Sequence, residues 1–330
     1  MTSIAPHMSA FLHERLPRER GASEHTRESY AYAFKLLFQF ASARFKVPPS
    51  QLELEQLDAP LVLNFLTWLE STRGNCPSTR NARLVAIKSF MRYLEYRLPS
   101  VLEQSRQIHA IPLKKVDIPL VNHLTSVEIE ALLNAPNLST VVGTRDRAMM
   151  HLCFAAGLRV SELVSLPISS LSLQPDAHIK VMGKGRRERA LPLWKQTVND
   201  LRRWMAVRTV GPGVDELFVN ARGQPMTRSG FEWVLAKHFR SAAVSCQSLA
   251  AKRLSPHVMR HSCALMILQA TNDLRRVALW LGHADIRTTE QYLRVDPSKK
   301  LEALSAVVPP NLRRGRFKVP DKLMTMLMAR

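Results

Sequence analysis

The sequence predicts a mainly α-helical protein with one small β-hairpin, divided into a helical N-terminal domain and a mixed α+β second domain. Apolar residues recur at helical spacing along most of the chain, between breaks rich in glycine and proline. Only two short runs, 179–182 and 190–193, are typical of strands, and glycines open the turn between them. A length of 330 residues fits two domains of about 150 residues each.

The first domain is predicted to span residues 1–110. Three helices are predicted in it, over 23–45, 59–69 and 78–96. Ser23 or Thr26 suits the N-cap of the first helix, because a hydroxyl oxygen can accept from a free N–H group of the first turn. The third helix has one apolar face and one basic side, whose residues include Arg80, Arg83, Lys88 and Arg92. This basic side indicates either a solvated surface or a helix laid along DNA phosphates.

A proline-containing stretch with little helical period, residues 111–123, predicts a linker. Thr125 and Glu128 then have the spacing of a capping box, which marks the start of a helix and of the second domain. The second domain is assigned to 124–302, and residues 303–330 are a basic C-terminal tail. Helices of the second domain are predicted at 126–134, 144–156, 195–207, 228–240, 256–269, 273–281 and 285–294.

The charge balance indicates a polyanionic partner. Lysine and arginine total 47 against 27 acidic residues, a formal net charge of +20, which would suit nucleic acid or an anionic membrane. The longest apolar stretch, 148–158, is far shorter than the roughly 20 residues of a membrane-spanning helix. No predicted helix combines a basic face with a broad exposed apolar face either, so no membrane partner is expected. The N-terminus lacks a signal-peptide pattern and the cysteines are scattered, so a cytoplasmic location is expected.

Several cationic side chains of the second domain stand at breaks in the local structure. Arg159 follows Gly157, and Glu162 comes three residues later, where it can hold the guanidinium by an ion pair. Lys184 lies at the predicted hairpin tip between two glycines. Taken singly, these features are typical of an ordinary intrahelical pair and of a solvated turn lysine.

Two histidines and an arginine lie close together on one predicted helix. His257 and Arg260 share a face, and Pro256 suits the first turn, whose free N–H groups favour anions. His257 and His261 are four residues apart and could share a metal ion. No nearby carboxylate has the spacing of a third ligand, so no metal site is expected.

His283 and Tyr292 complete the candidate residues. His283 follows Gly282, which is suited to end a helix in the left-handed conformation. Tyr292 lies nine residues later and is the only tyrosine after Tyr96. A lone tyrosine on a helix is usually a core or rim residue, so the signal lies in the order and spacing of the whole set.

The order and spacing of these residues resemble the tyrosine recombinase, or phage integrase, family. The motifs are Gly157-Leu158-Arg159-Val160-Ser161-Glu162-Leu163, Gly183-Lys184-Gly185, His257-x-x-Arg260-His261, Leu281-Gly282-His283 and Tyr292. The resemblance covers about residues 10–300, with His283 where some members carry tryptophan. It implies an N-terminal core-binding domain of SAM-like fold followed by a catalytic domain.

The resemblance implies a site-specific DNA recombinase or integrase that needs no cofactor or metal ion. The catalytic residues it implies are Arg159, Lys184, His257, Arg260, His283 and Tyr292, supported by Glu162 and His261. Tyr292 would attack a phosphodiester and form a 3′-phosphotyrosine, with His257 as the candidate acceptor of its proton. The arginines would clamp the non-bridging oxygens, the lysine would protonate the leaving oxygen, and His283 would bond the phosphate or place the nucleophile.

Double-stranded DNA with paired half-sites is the expected partner, bound as a tetramer in the nucleoid, with other recombinases as further partners. Arg186 and Arg187 of the hairpin add to the expected DNA-binding residues. The apolar segment after Tyr292 is expected to dock in a neighbouring subunit or to pack on its own domain. A type IB topoisomerase, which uses a similar residue set, and a non-catalytic DNA-binding protein are the alternatives.

Overall fold

The computed structural model describes residues 2–117, 120–183, 187–283 and 285–294. The chain forms two compact units, Met1–Ile118 and Pro119–Arg330, and the division falls inside the stretch that was predicted to be a linker. Both units are mostly helical, and the described residues include one small antiparallel sheet. The predicted fold class is confirmed. In the described part of the chain, no helix has both the length and the apolar character needed to cross a membrane.

The first unit is helical, and the apolar faces of its helices meet in one core. Its α-helices are α1 (Ile4–Ala10), α2 (Glu24–Phe45), α3 (Ala59–Ser71), α4 (Pro77–Glu95) and α5 (Leu102–Ala110). A π-helical segment, Phe11–Glu19, continues α1. The ring of Phe11 lies 6.1 Å from that of Phe34 and 5.3 Å from that of Phe90. Aromatic pairs at this separation stabilise beyond their buried area, so the rings fasten α2 and α4 to the N-terminal segment.

The sequence does not predict α1, the π-helical segment that continues it, or α5, and the last two depend on tertiary packing. Phe11–Glu19 contains Pro17 and is helical because it buries two apolar side chains in the core. α5 lies in a proline-flanked stretch with little helical period. There the buried Ser105 hydroxyl donates to Glu95 Oε1 at 2.5 Å. Burial against neighbouring helices stabilises segments whose local pattern is too weak to indicate a helix.

In the second unit, the sheet buries one face in a core that it forms with helices. These are α6 (Ser126–Asn134), α7 (Val141–Ala155), α8 (Val160–Val164), α9 (Lys195–Val207), α10 (Arg228–Ser245), α11 (Pro256–Thr271), α12 (Leu274–Leu281) and α13 (Arg287–Glu290). The strands, in spatial order, are β1 (Leu171–Ser172), β2 (His178–Met182) and β3 (Glu188–Pro192). The predicted hairpin is β2–β3, with Ile179 opposite Leu191. The predicted capping box is present, since Thr125 N donates to Glu128 Oε2 at 2.8 Å.

α7 is the most buried helix of the second unit, and buried side-chain hydrogen bonds attach its neighbours to it. The fully buried Asp146 accepts from Arg145 Nη2 at 2.6 Å and from His238 Nε2 of α10 at 2.8 Å. Similarly, Asp200 of α9 lies 2.7 Å from His151 Nδ1. Buried charges require such partners because desolvation would otherwise cost several kcal/mol. These contacts hold α7 in place. The residues that follow its C-terminal end form the first part of the candidate site.

Replacing Asp146 should destabilise the second unit severely. Asp146→Ala leaves the buried guanidinium of Arg145 without its counter-charge, so the free energy of unfolding should fall by about 3–5 kcal/mol. Glu232→Ala, an exposed carboxylate on the same helix as His238, should change it by less than about 0.5 kcal/mol. Urea denaturation followed by tryptophan fluorescence measures both. A loss below about 1 kcal/mol in Asp146→Ala would contradict the assigned role of this carboxylate.

Candidate active site

Gly157 makes the turn that connects α7 to α8. Its φ of +58° is left-handed, and a Cβ at this position would lie 2.7 Å from Leu281 Cδ2, so both conformation and space require glycine. Arg159 follows at the N-cap of α8, where its backbone N–H donates to Glu162 Oε2 at 3.0 Å. The predicted ion pair is present, with Arg159 Nη1 donating to Glu162 Oε1 at 2.8 Å. One helix start therefore orients both residues.

The buried Glu162 carboxylate is shared by arginines from three segments. Arg189 of β3 donates to both oxygens, from Nη2 to Oε2 at 2.8 Å and from Nη1 to Oε1 at 3.3 Å. Arg260 Nη1 lies 3.9 Å from Oε2. Burial alone would raise the pKa of Glu162, but hydrogen bonds from Arg189 and from the Arg159 backbone, with the charges of both arginines, hold that pKa below its ordinary value. The carboxylate is ionised, and positive charge remains in excess.

Arg260 lies in the first turns of α11, which begins at Pro256 as predicted. From there it connects the ends of two other helices. Its side chain is buried and donates to the backbone oxygens of Gly157 and Leu281, the second at 2.6 Å. Burial, and then the charge of Arg159, lowers the pKa of Arg260 to about 10. Since this lies well above neutral pH, the guanidinium keeps its charge inside the site.

His283 is fixed directly after the end of α12. Gly282 has a φ of +65°, the left-handed cap that the sequence predicts. Nδ1 of His283 lies 2.8 Å from Oγ1 of the buried Thr289, which fixes the ring. Burial, and then the charges of Arg260 and Arg159, lowers the pKa of His283 to about 4. The ring is therefore neutral at neutral pH.

Tyr292 lies in a short 3₁₀ turn, Gln291–Arg294, that follows α13, where the sequence predicted one continuous helix over 285–294. Its side chain is only 1% exposed and packs on apolar residues of α11 and α12. Burial raises the pKa of Tyr292 to about 12. The hydroxyl therefore ionises only if a neighbouring group takes its proton.

The group in contact with the Tyr292 hydroxyl is His261, whose Nδ1 lies 2.8 Å away. The prediction paired Tyr292 with His257. That side chain is exposed one turn earlier on α11, and its ring centroid lies 6.4 Å from that of His261. Burial, and then the charges of His257 and Arg260, lowers the pKa of His261 to about 4. A neutral imidazole next to a phenol can accept its proton.

Two predicted residues of the hairpin lie outside the described part of the chain, Lys184 and Arg186. The described flanks of the turn are closed by the N–H of Gly183, which donates to the carbonyl oxygen of Arg187 at 2.8 Å. Arg187 is exposed. The sequence analysis missed Arg189, although strand alternation places it on the same face as the buried Leu191. Among the described residues, no cluster of histidine, cysteine or carboxylate side chains is arranged to hold a metal ion.

Two of the four basic residues predicted to bind DNA on α4 are engaged inside the first unit. Arg80 is buried, and its Nη1 donates to the carbonyl oxygen of Pro112 at 3.0 Å. Lys88 Nζ donates to the carbonyl oxygens of His109 and Ile111 at 2.9 and 2.6 Å. These cations fasten the end of the first unit to α4. Helical periodicity alone does not separate such residues from solvent-facing ones.

Of the other two basic residues of α4, Arg83 is half-buried, and its Nη1 donates to the carbonyl oxygen of Ser29 at 3.1 Å. Arg83 stacks on Tyr32, with its guanidinium carbon 4.9 Å from the ring centroid. Arg92 is exposed and borders an open cavity of about 430 Å³, which Arg15 and Arg20 also line. Clustered guanidiniums around an open cavity are typical of a surface that meets phosphates.

Each of the two units matches a known protein family. Residues 122–299 match the phage integrase family, and residues 9–97 match the N-terminal SAM-like domain of phage integrases. A protein named as an integrase/recombinase, y4rC of Sinorhizobium fredii, is 40% identical over 326 residues, covering 98% of this chain and 98% of that protein. Tyrosine recombinase XerD of Pseudomonas putida is 34% identical over 281 residues, covering 84% of this chain and 89% of that protein.

Solved structures show the same fold. The XerH site-specific recombinase bound to difH substrate, in a pre-cleavage complex, is 25% identical with a TM-score of 0.66, covering 89% of this chain and 83% of that chain. A lambda integrase dimer bound to a core site is 14% identical with a TM-score of 0.64, covering 96% of this chain and 81% of that chain. At 14% identity, the similarity to lambda integrase shows a shared fold only.

The half-buried histidine beside Tyr292 should make the second unit sensitive to acid. The pKa of His261 falls from an ordinary 6.5 to about 4 on folding, so the unfolded chain takes up a proton first as the pH drops. The stabilisation present above pH 6.5 is therefore lost progressively down to about pH 4. His261→Asn removes this titration, and should reduce the loss of unfolding free energy between about pH 7 and about pH 5 by about 1–2 kcal/mol. Urea denaturation at both pH values tests this, and an unchanged pH dependence would count against it.

Proposed function

The chain belongs to the phage integrase family of tyrosine recombinases, and we propose that it cleaves DNA by attack of the Tyr292 hydroxyl on a backbone phosphodiester. As a member, it is a DNA breaking and rejoining enzyme of site-specific recombination. One observation carries the assignment of the nucleophile. The Tyr292 hydroxyl lies 2.8 Å from His261, beside a cluster in which three guanidiniums surround one carboxylate.

The proposed step is a transesterification. The Tyr292 oxygen forms a bond to phosphorus as the bond to the 5′ oxygen breaks, which leaves a 3′-phosphotyrosine and a free 5′ hydroxyl. The phenol proton passes to His261, and Lys184 gives a proton to the leaving oxygen. Rejoining runs the same step in reverse, with the 5′ hydroxyl of the exchanged strand as the attacking group. Because the covalent link conserves the bond energy, no external energy source is needed.

Arg159 and Arg260 supply positive charge to the phosphate in the transition state. A guanidinium can bind two phosphate oxygens at once through its paired N–H groups. The Arg159 side chain is 31% exposed, which allows it to reach a bound strand. Arg260 is held by two backbone oxygens and remains charged. His283 is fixed through Nδ1 by Thr289, so its other ring nitrogen is available to the phosphate. His257, exposed at the start of α11, is a further phosphate contact.

The DNA surface proposed outside the active site consists of basic residues from each unit. They are Arg83 and Arg92 of α4 with Arg186 and Arg187 of the hairpin. Each would neutralise a backbone phosphate and release counterions, which positions the chain without reading sequence. Arg80 and Lys88 contribute indirectly, since they fix the end of α5 against α4. The XerH structure is a complex of that recombinase with its DNA substrate, which supports the same kind of partner here.

Strand exchange between two duplexes breaks four strands, and each chain carries one proposed nucleophile. A tetramer on DNA, with two half-sites in each duplex, follows from this stoichiometry. Its subunits would be copies of this chain or related recombinases, and the location would be the nucleoid in the cytoplasm. The segment proposed to connect subunits, after Tyr292, lies outside the described residues, as does the basic tail 303–330. The relatives named above are recombinases, which does not favour the topoisomerase alternative.

Loss of the Tyr292 hydroxyl should abolish covalent capture of DNA. On a nicked duplex that traps the intermediate, the wild-type chain should form an adduct that survives denaturing electrophoresis. Tyr292→Phe should form none while binding DNA with nearly unchanged affinity, because only one oxygen is removed. The matched control is Tyr96→Phe, which changes an 82% exposed tyrosine of the first unit and should react like the wild type. An adduct in Tyr292→Phe would refute the assignment.

Substitution of an active-site arginine should impair DNA cleavage, whereas substitution of an arginine on α4 should impair DNA binding. Arg159→Ala should slow adduct formation by about 10² to 10³ with little loss of affinity, because it removes one donor to the transition state. Arg92→Ala should instead weaken binding and reduce the salt dependence of affinity by about one ion per lost phosphate contact. Single-turnover cleavage and salt titrations of binding measure the two effects. Equal losses in both assays at both positions would contradict this division.

A further inference from the structure

The guanidinium of Arg189 lies where three segments of the site meet. It is 10% exposed and donates to both oxygens of Glu162 on α8, at 2.8 and 3.3 Å. It also lies against the backbone at Gly183, just before the hairpin tip, and at Gly282, just before His283. Arg189 belongs to none of the motifs that carry the family resemblance. Its contacts nevertheless reach the segments that hold three of the proposed catalytic residues.

Two glycines make room for this guanidinium. A Cβ at Gly282 would lie 3.0 Å from Arg189 Nη1 and 3.1 Å from its Cδ, and the backbone there is left-handed. A Cβ at Gly183 would lie 3.2 Å from the same Nη1. A Cβ at either position would therefore be closer to the guanidinium than ordinary van der Waals contact allows. Because both residues are glycines, their backbone leaves room for the guanidinium on two sides. In that space, its two hydrogen bonds to Glu162 hold it in place.

The charges around Glu162 give Arg189 an electrostatic role. The carboxylate accepts from the Arg159 side chain at 2.8 Å and lies 3.9 Å from Arg260 Nη1. Without Arg189, its negative charge would be balanced only by these two guanidiniums. Their attraction for a phosphate would fall, because a nearby ionised carboxylate opposes the same anion. With Arg189 present, Glu162 can orient Arg159 while its charge is neutralised by a cation outside the phosphate clamp.

We propose that Arg189 is a positioning residue for DNA cleavage, which anchors and neutralises Glu162 so that Arg159 and Arg260 present their charge to the scissile phosphate. The inference rests on the proposed function of Tyr292 and its neighbours. It predicts that the importance of Arg189 depends on the charge of the phosphate.

A neutral phosphate separates this role from a purely structural one. Single-turnover adduct formation is measured on a nicked duplex with an ordinary scissile phosphodiester, and on one whose scissile position is a methylphosphonate, which carries no charge. Arg189→Met should slow the reaction of the phosphodiester by about 10-fold to 100-fold, within the range for loss of active-site charge stabilisation. On the methylphosphonate, the same substitution should change the rate by less than about threefold.

Arg208→Met is the matched control for a structural arginine. Arg208 is partly buried and donates to the carbonyl oxygens of Glu216 and Leu217, with no contact to Glu162 among the described residues. Its substitution should act equally on both substrates. Equal factors for Arg189→Met on both substrates would overturn the proposal. A loss confined to half-site affinity would also overturn it, because Arg189 would then be a DNA contact.

A double substitution keeps the test decisive if Arg189→Met is poorly stable. If Arg189 acts by neutralising Glu162, adding Glu162→Gln to Arg189→Met should increase the rate on the phosphodiester relative to Arg189→Met alone. Arg189→Lys, which keeps the charge but loses the paired donors, should recover part of the rate. A further decrease in the double variant would refute the neutralisation. Absence of an adduct with the wild-type chain would refute the proposed function itself, which distinguishes the two failures.

Discussion

The active-site surface of the second unit depends on one buried carboxylate. Three guanidiniums converge within about 4 Å of Glu162, from a helix start, a strand and the first turns of α11. Without that carboxylate they would repel one another in a region from which water is largely excluded. A buried carboxylate is in turn stable only with several donors, since its desolvation is costly. The carboxylate and the arginines therefore require each other, and both the fold and the site depend on this mutual requirement.

The chain reaches this arrangement through the ends of its secondary-structure elements. α7 ends at a left-handed glycine, the hairpin turns next to another glycine, and α12 ends at a third. Backbone oxygens at two of these ends accept from Arg260. Helix ends leave such carbonyl groups without intrahelical partners, so a buried arginine satisfies them and gains a fixed position. Placement of the site at element ends makes the remote segments converge without a long loop.

Much of the fold and part of the geometry of the candidate site could be predicted from local patterns. Helical periodicity located α2, α3, α4 and α11, and the spacing of Thr125 and Glu128 predicted a capping box that is present. The pairing of Arg159 with Glu162 was likewise visible in the spacing of the two residues. The rest depends on tertiary contacts. Arg80 and Lys88 look like their solvent-facing neighbours in sequence, and Arg189 acquires its role only when β3 meets α8. The turn that carries Tyr292 places its hydroxyl in contact with His261 and not with His257, which the spacing in the sequence does not show.

The burial of Tyr292 keeps the proposed nucleophile of the DNA-free chain away from DNA. Tyr292 is 1% exposed and its hydroxyl contacts His261, so in this arrangement the hydroxyl does not reach a phosphorus atom of a duplex. Chance encounters with chromosomal DNA should therefore end in dissociation and leave the strands intact. For the proposed attack, the segment that carries the tyrosine, residues 287–294, would have to shift so that the hydroxyl reaches the phosphate while it stays within reach of His261. The selectivity of cutting is thus set partly by the free energy of that movement, and a binding site becomes a cleavage site only if it stabilises the shifted arrangement.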